Sequence, residues 1–488
     1  MSDNLYALLA SRFAGARDAV CLELEGGKHY TYADLDAETA RYANLLTSLG
    51  LRRGDRVAVQ VEKSAESIFL YLGCLRAGLV YLPLNTAYQQ AEVGYFVGDA
   101  QPAAAFCRPE ARAWFEGVAH RLDLKDVQGQ PTGFTTVQSA ADDLACLVYT
   151  SGTTGRAKGA MITHRNLTSN AIALHGSWKF RPGDVLIHSL PLFHVHGLFV
   201  ALHTALLNAS RIILLSRFDA APVMKHFPRA TVFMGVPTYY VRLLAEPALD
   251  KALCAHMRLF VSGSAPLLRE TFNEFRDRSG HTILERYGMT ETGMNTSNPY
   301  DAERRGGTVG LPLPGVEVRV ADAADAPLKA GEIGGIQVRG PNVMPGYWRL
   351  PERRKDDFSA DGFFRTGDLG CFDAEGYLSI VGREKDLVIS GGYNVYPKEI
   401  EMLLDELPGV EESAAFGVPH KDLGEALAVA IVVRPGVQLT PESVIAYVKG
   451  KLANFKVPKR IVFVAALPRN AMGKVLKAEL RKAYGKPG

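Results

Sequence analysis

The sequence is poor in the features that mark several protein classes. Its six cysteines, Cys21, Cys74, Cys107, Cys146, Cys254 and Cys371, stand far apart over 488 residues. They show neither the short spacings of a zinc knuckle nor the density of a disulfide scaffold, and are expected to be reduced core thiols. Net charge is almost absent: 55 bases against 52 acids leave +3, which excludes nucleic-acid binding by bulk charge and leaves partners to be inferred from local motifs. No apolar run suits a bilayer span of about 20 residues. The greasiest stretch, Leu198 to Leu215, is broken by His203, Asn208, Ser210 and Arg211. The start, MSDNLYALLASRF, opens with an acid and lacks the basic and apolar blocks of an export signal, so a cytoplasmic address without membrane attachment is expected. Internal repeats and low-complexity tracts are missing too.

What remains is ordinary globular composition, 47% hydrophobic and 22% charged, which rules out a mainly disordered chain. At roughly 150 residues per domain the length suggests about three structural units. From Tyr30 onward amphipathic helical patterns alternate with short β-rich runs: TYADLDAETARYANLLTSLG then DRVAVQV, ESIFLYLGCLRAG then LVYLPL, PVMKHFPRA then TVFMGV. This βα rhythm predicts one large α/β body of mostly parallel sheets covered by helices. From Val309 the texture changes to Gly- and Pro-punctuated strands (VEVRVAD, EIGGIQVRG, YLSIVG), a β-rich subdomain. The last hundred or so residues predict a small α+β domain, placing the division at 1–382 and 383–488. Between Lys451 and Gly488 ten Lys/Arg face one acid, Glu479; charge of this kind is ordinarily a solvated face.

The sharpest local signal runs Tyr149-Thr150-Ser151-Gly152-Thr153-Thr154-Gly155-Arg156-Ala157-Lys158-Gly159, between two apolar segments. Glycines let backbone N–H groups approach an anion, hydroxyls add donors, and Lys158 adds a mobile cation, which together make a polyphosphate cradle. The Gly-Lys-Ser/Thr ending of a Walker A loop is absent, so an ordinary P-loop enzyme is disfavoured. Further along stand Gly263-Ser264-Ala265-Pro266, Tyr287-Gly288-Met289-Thr290-Glu291, Arg365-Thr366-Gly367-Asp368, Gly382-Arg383-Glu384-Lys385-Asp386 and Gly473-Lys474.

Six motifs in this order and spacing resemble the adenylate-forming acyl-CoA synthetase family over nearly the whole chain. The resemblance implies ATP, Mg²⁺ and coenzyme A as reactants, and a small C-terminal domain that moves about a hinge at Lys385. It implies that Thr150 to Thr154 and Lys158 hold phosphates, that Thr290 meets the α-phosphate and that Glu291 holds Mg²⁺, a hard cation suited to carboxylate and phosphate oxygens. Tyr287 and Gly288 would flank adenine opposite the turn of Gly263, Ser264 and Ala265. Asp368 would accept the ribose hydroxyls, with Arg383 beside it. Lys474 would enter the site to offset repulsion as two anions meet. Gly391, Gly392 and Tyr393 would face the pantetheine of coenzyme A in a second arrangement.

The acid is suggested by Arg286, where many family members that use long or aromatic acids carry glycine. An arginine there shortens the pocket and sets a permanent cation near its floor, costly unless an anion joins it. A dicarboxylate meets both demands. PLNTAY (83–88), PLFHVHGLF (191–199) and ERYGMTETGMNTSNPY (285–300) resemble the malonyl-CoA synthetase branch, which implies malonate or methylmalonate. His194 resembles the gate between acyl and coenzyme A spaces, and His196 would face the short acyl pocket with Ser262, Met234 and Met289. A competing reading of Arg286 is an internal ion pair. Glu285 is a poor partner for it, since neighbours on a strand point to opposite faces. His194 and His196 at i, i+2 on one strand face raise a zinc alternative, for which no third ligand is nominated. Other readings are a ligase for a different short acid, an adenylation domain that loads an amino acid onto a carrier protein, and a non-catalytic nucleotide sensor. The second would need an acid in TVFMGVPTYY to hold an ammonium, and none stands there.

Overall fold

The computed structural model describes residues 3–150, 157–390, 393–420, 423–470 and 473–485. Ser151, Gly152, Thr153, Thr154, Gly391 and Gly392, singled out above, lie outside the described residues.

The βα rhythm resolves into two sheets. One has nine strands in the order 311–312, 293–297, 284–289, 259–262, 232–235, 185–188, 211–214, 20–24, 29–31. Its interior pairs are parallel and its outer pairs antiparallel. The other has six strands, in the order 120–122, 104–107, 56–60, 80–83, 144–150, 158–163, parallel except for the last pair. Parallel strands need both faces covered. Helices such as Tyr32–Ser48 and Ala65–Arg76 do this, each begun by a hydroxyl cap, from Thr31 and Ser64, that satisfies an amide of the first turn. Buried side chains between the two sheets, among them Tyr71, Phe69, Leu72, Leu198 and Leu202, form one continuous core. The apolar stretch from Leu198 is part of it, divided into a π-helical turn His196–Ala201, a helix Leu202–Leu207 and a strand Arg211–Leu214. Among the described residues no helix is long and apolar enough to cross a membrane.

The β-rich segment forms a separate antiparallel sheet of Glu317–Ala321, Gly334–Arg339, Phe364–Phe372 and Leu378–Arg383. A single 3₁₀ turn, Glu384–Asp386, follows, and the next strand, Val388–Ser390, joins a different sheet with Tyr393–Val395, Val410–His420, Gly424–Val433 and Arg460–Phe463. That sheet and the helices Pro397–Asp405, Pro441–Lys449 and Lys477–Tyr484 make up the small C-terminal unit. Its basic tail is not merely solvated. Lys456 pairs with Glu399 at 2.6 Å, Lys477 with Glu401 at 2.6 Å and Arg481 with Asp386 at 2.8 Å, while Arg469 pairs with Glu412. Four of the ten bases in the last segment thus pair with acids from earlier in the same unit. Five cysteines are buried and Cys371 is half-buried, all as free thiols.

Candidate active site

The parallel strands Val232–Gly235, Leu259–Ser262 and Leu284–Met289 lie side by side, with Gly235 opposite Ser262 and Ser262 opposite Glu285. Ligands of open α/β sheets sit beyond such carboxyl ends. The candidate residues Met234, Ser262, Gly263, Ser264, Arg286 and Tyr287 all fall there. Strand Leu284–Met289 turns back through Thr290, Glu291 and Thr292 into Gly293–Ser297, with a register shift between Tyr287 and Gly288. A bulge of this kind re-aims the side chains beyond it. Gly288 is required at that point, since a Cβ there would lie 2.1 Å from the Gly293 carbonyl oxygen.

On one side of this hairpin Thr150 and Lys158 face each other where residue 150 ends one strand and residue 158 begins its antiparallel partner. The Thr150 hydroxyl donates to Glu291 Oε1 at 3.0 Å, and so does the Tyr347 hydroxyl at 3.0 Å. Lys158 Nζ lies 4.8 Å from the centre of the Tyr347 ring. Burial, with Arg353 nearby, lowers the Lys158 pKa. Tyr347 therefore joins the candidate phosphate lysine, Lys158, to the candidate Mg²⁺ carboxylate, a contact with no local signature in the sequence. Glu291 is 5% exposed, with hydroxyls fixing one of its oxygens. Among the described residues no group of three His, Cys, Asp or Glu could cage a metal. One ordered carboxylate fits Mg²⁺ bound through nucleotide phosphates and water rather than through a protein cage.

On the other side Tyr287 Oη donates to Asp368 Oδ2 at 2.6 Å, and Arg383 Nε contacts Asp368 Oδ1 at 2.9 Å. Each Asp368 oxygen thus has one donor and a further lone pair for a diol. The Tyr287 ring itself belongs to the core. Lys474 sits on a tight turn: its amide donates to Asn470 Oδ1, and the Asn470 amide to the Lys474 carbonyl, both at 3.0 Å. A Cβ at Gly473 would meet Thr238 Oγ1 of the large unit at 3.1 Å, which packs the turn against the site. Burial, then repulsion from Arg383, lowers the Lys474 pKa to about 8 against the pull of Asp368. Arg434 adds a second bridge between the units, donating to both carboxylate oxygens of Glu270 at 2.9 and 2.7 Å. Lys385 is exposed on the connecting turn, and the Tyr393 ring, stacked on Phe455 at 4.6 Å, is 58% exposed.

The candidate acyl end is the most unusual. Arg286 is 3% exposed, and its Nε and Nη2 have no partner. No ion pair relieves it, so the internal salt bridge weighed above is not formed among the described residues. Glu285 turns away, accepting from the Leu267 amide, and burial raises it to about 8. The guanidinium lies flat on Gly263, where a Cβ would sit 2.5 Å from Cζ. Around it His196 Nε2 and Ser262 Oγ are also buried without partners. His196 Nδ1 contacts the Ser264 hydroxyl at 3.3 Å, and Ser264 is held at φ +74°, a costly conformation for a non-glycine residue and a common one at functional sites. Met234 is buried and Met289 half-buried nearby. His194 and His196 do not share a strand: His196 opens the π-helical turn and donates its amide to His194 Nδ1 at 3.2 Å. The strand-face geometry behind a zinc site is therefore overturned. Burial, then the Arg286 charge, lowers His194 to about 4 and His196 well below the usual imidazole range, leaving both neutral near pH 7. Burial without a countercharge pushes Arg286 down to about 9.

Two α/β lobes, an antiparallel sheet and a small unit that sets one lysine near the Tyr287–Asp368–Arg383 cluster are the architecture of an enzyme that activates a substrate with a nucleotide. The chain belongs to the AMP-binding enzyme family: the family profile matches residues 9–348, and that of the AMP-binding enzyme C-terminal domain matches residues 399–474. It is 32% identical to the malonate–CoA ligase of Arabidopsis thaliana, over 99% of this chain and 89% of that protein. It is 34% identical to a feruloyl-CoA synthase of an Amycolatopsis species, over 94% and 95%. Among solved structures it superposes on ATP-bound MatB from Rhodopseudomonas palustris with a TM-score of 0.97 and 50% identity, each chain covered to 99%.

Proposed function

We propose that the protein is a ligase that activates malonate with ATP and passes the malonyl group to coenzyme A, releasing AMP and pyrophosphate. The observation that carries this is Arg286, a buried cation with two unpartnered nitrogens, Nε and Nη2, together with the unpartnered His196 Nε2 and Ser262 Oγ. Orphaned buried donors cost free energy unless a ligand supplies acceptors. A second carboxylate supplies several at once together with a negative charge, whereas a feruloyl tail offers only neutral phenol and methoxy oxygens and a fatty tail offers none. With Arg286 and Met234 buried and Met289 half-buried, these three are read as the walls of a short acyl pocket, with methylmalonate as the second acid expected to fit. The curated malonate and feruloyl ligases are about equally similar, at 32% and 34% identity, while the 50% identity to MatB and these side chains support the malonate reading.

In this reading one malonate carboxylate lies against Arg286 and the other attacks the α-phosphorus of ATP, breaking its bond to pyrophosphate. Lys474 brings positive charge to the meeting of two anions, and Thr290 and the 150–158 hairpin hold the phosphates. Mg²⁺, held by Glu291, would supply charge neutralisation at those phosphates. Tyr287, Asp368 and Arg383 hold the nucleoside, with the 263–265 turn across from it. The coenzyme A thiol then attacks the acyl carbon, and AMP leaves. Lys474 turned to the site while Tyr393 stands in solvent supports the first of two arrangements. A rotation about Lys385 would carry the 391–393 segment inward for the second, with His194 as the gate to be cleared. Such an enzyme works where ATP and coenzyme A are plentiful and thiols stay reduced, which favours a cytoplasmic address. The test is AMP release with acetate, propionate, malonate, methylmalonate and succinate, with and without coenzyme A. Malonate should lead and should need coenzyme A, and preference for a monoacid would overturn the reading.

A further inference from the structure

Lys63 belongs to the six-stranded lobe, just beyond strand Arg56–Gln60 and just before the helix capped by Ser64, and no step above uses it. Its ammonium reaches across to the other lobe. Nζ donates to the His188 carbonyl at 2.8 Å and meets His188 Nδ1 at 2.9 Å, while His188 Nε2 lies 2.9 Å from the Gly197 carbonyl oxygen. A carbonyl can only accept, so Nε2 carries the imidazole proton and Nδ1 accepts from Lys63. Burial, then the Lys63 charge, keeps His188 neutral; burial also lowers the Lys63 pKa well below the usual lysine range, against the pull of the Glu25 carboxylate.

Residues 188 and 197 are the two ends of the loop that carries His194 and His196. Lys63 thus grips the first end directly and the second through one imidazole ring. The loop is wound so closely that a Cβ at Gly197 would lie 2.1 Å from the Pro191 carbonyl oxygen. Within it the Leu198 amide donates to the His194 carbonyl at 2.9 Å. Yet its outer side is not packed on solid core. Ser189, Pro191 and Phe193 border a cavity of about 210 Å³ that Lys63 and Tyr239 also line. Cut loose at its base, the loop has space to relax into.

We propose that Lys63 is a positioning residue for the acyl site, stapling through His188 the base of the loop that sets His194 and His196 against Arg286. The inference rests on the reading of that site as the receiver of a diacid. The test uses the full chain. Lys63→Met should raise KM for malonate about tenfold with KM for ATP within about twofold, because none of the staple's own contacts involves a residue assigned to the nucleotide. His188→Leu should do the same. His188→Gln, whose amide can accept from Lys63 and donate to the Gly197 carbonyl, should stay within about threefold of the parent. Unchanged malonate KM in Lys63→Met, equal rises for malonate and ATP, or equal damage from His188→Leu and His188→Gln would each overturn the staple. Arg286→Gly measured alongside separates the two ideas: malonate use that survives it sinks the diacid reading, whereas its loss beside a normal Lys63→Met sinks the staple alone.

Discussion

Gly263 offers a quantitative handle on the diacid site. The Arg286 guanidinium rests on its Cα hydrogens, so that a methyl group at Gly263 would stand 2.5 Å from Cζ and Nη1 and 2.7 Å from Nε. Ordinary contact begins at roughly 3.5 Å, so Gly263→Ala forces the guanidinium about 1 Å away from its place. Mispositioning by that amount typically costs about a hundredfold in rate, or about 2.7 kcal/mol. Gly263→Ala should therefore lower kcat/KM for malonate about a hundredfold. The family resemblance gives Gly263 a place near adenine, so a loss alone would be ambiguous. A double-mutant cycle removes the ambiguity. In an Arg286→Gly background there is no guanidinium to displace, and adding Gly263→Ala should cost less than about threefold. Steady-state AMP release at varied malonate and saturating ATP measures all four proteins. Equal losses in both backgrounds would refute the steric argument and return Gly263 to the nucleotide.

Other consequences follow from the same geometry. Lys474 is needed as a cation and its pKa is lowered to about 8, so kcat/KM for adenylate formation should be full below that pH and fall as pH rises through it. Lys474→Arg keeps its charge, and its residual activity should lack that limb; an unchanged limb would assign it to another group. Lys385→Pro fixes the backbone at the exposed turn between the two units, and should spare malonate-dependent ATP–pyrophosphate exchange while impairing thioester formation at least tenfold. Equal loss of both half-reactions would refute the hinge. Tyr347→Phe deletes one of two hydroxyls that hold Glu291 Oε1, worth about 1 kcal/mol. The Mg²⁺ concentration for half-maximal rate should rise about fivefold, and an unaltered Mg²⁺ dependence would remove Tyr347 from the site.

Much of this was legible because it is local. The alternation of helix and strand periods foretold Tyr32–Ser48, Arg56–Gln60, Ala65–Arg76 and Val80–Pro83, since amphipathic spacing and burial speak within one element. Arg286 was legible through the family resemblance, as an arginine where many members carry glycine. Contacts that join distant segments left no such trace. Tyr347 beside Glu291, Gly263 under Arg286, and Lys63 on His188 are each set by how the sheets meet, and no period in the sequence records that. The strand expected around His194 and His196 failed for a local reason. Gly197 packs against the Pro191 carbonyl and winds the segment into a π-helical turn, which alternation of apolar residues does not reveal. The basic tail looked solvated because its partners, Asp386, Glu399, Glu401 and Glu412, lie about 55 to 95 residues earlier.

The most direct measurement is the ratio of kcat/KM for malonate to that for propionate, two three-carbon acids that differ by the distal carboxylate. Removing one partner of a buried charge pair costs about 3 to 5 kcal/mol, so the parent protein should favour malonate by at least about a hundredfold and Arg286→Gly should erase that preference while leaving KM for ATP unchanged. A variant that still chose malonate over propionate by the parental margin would contradict the account.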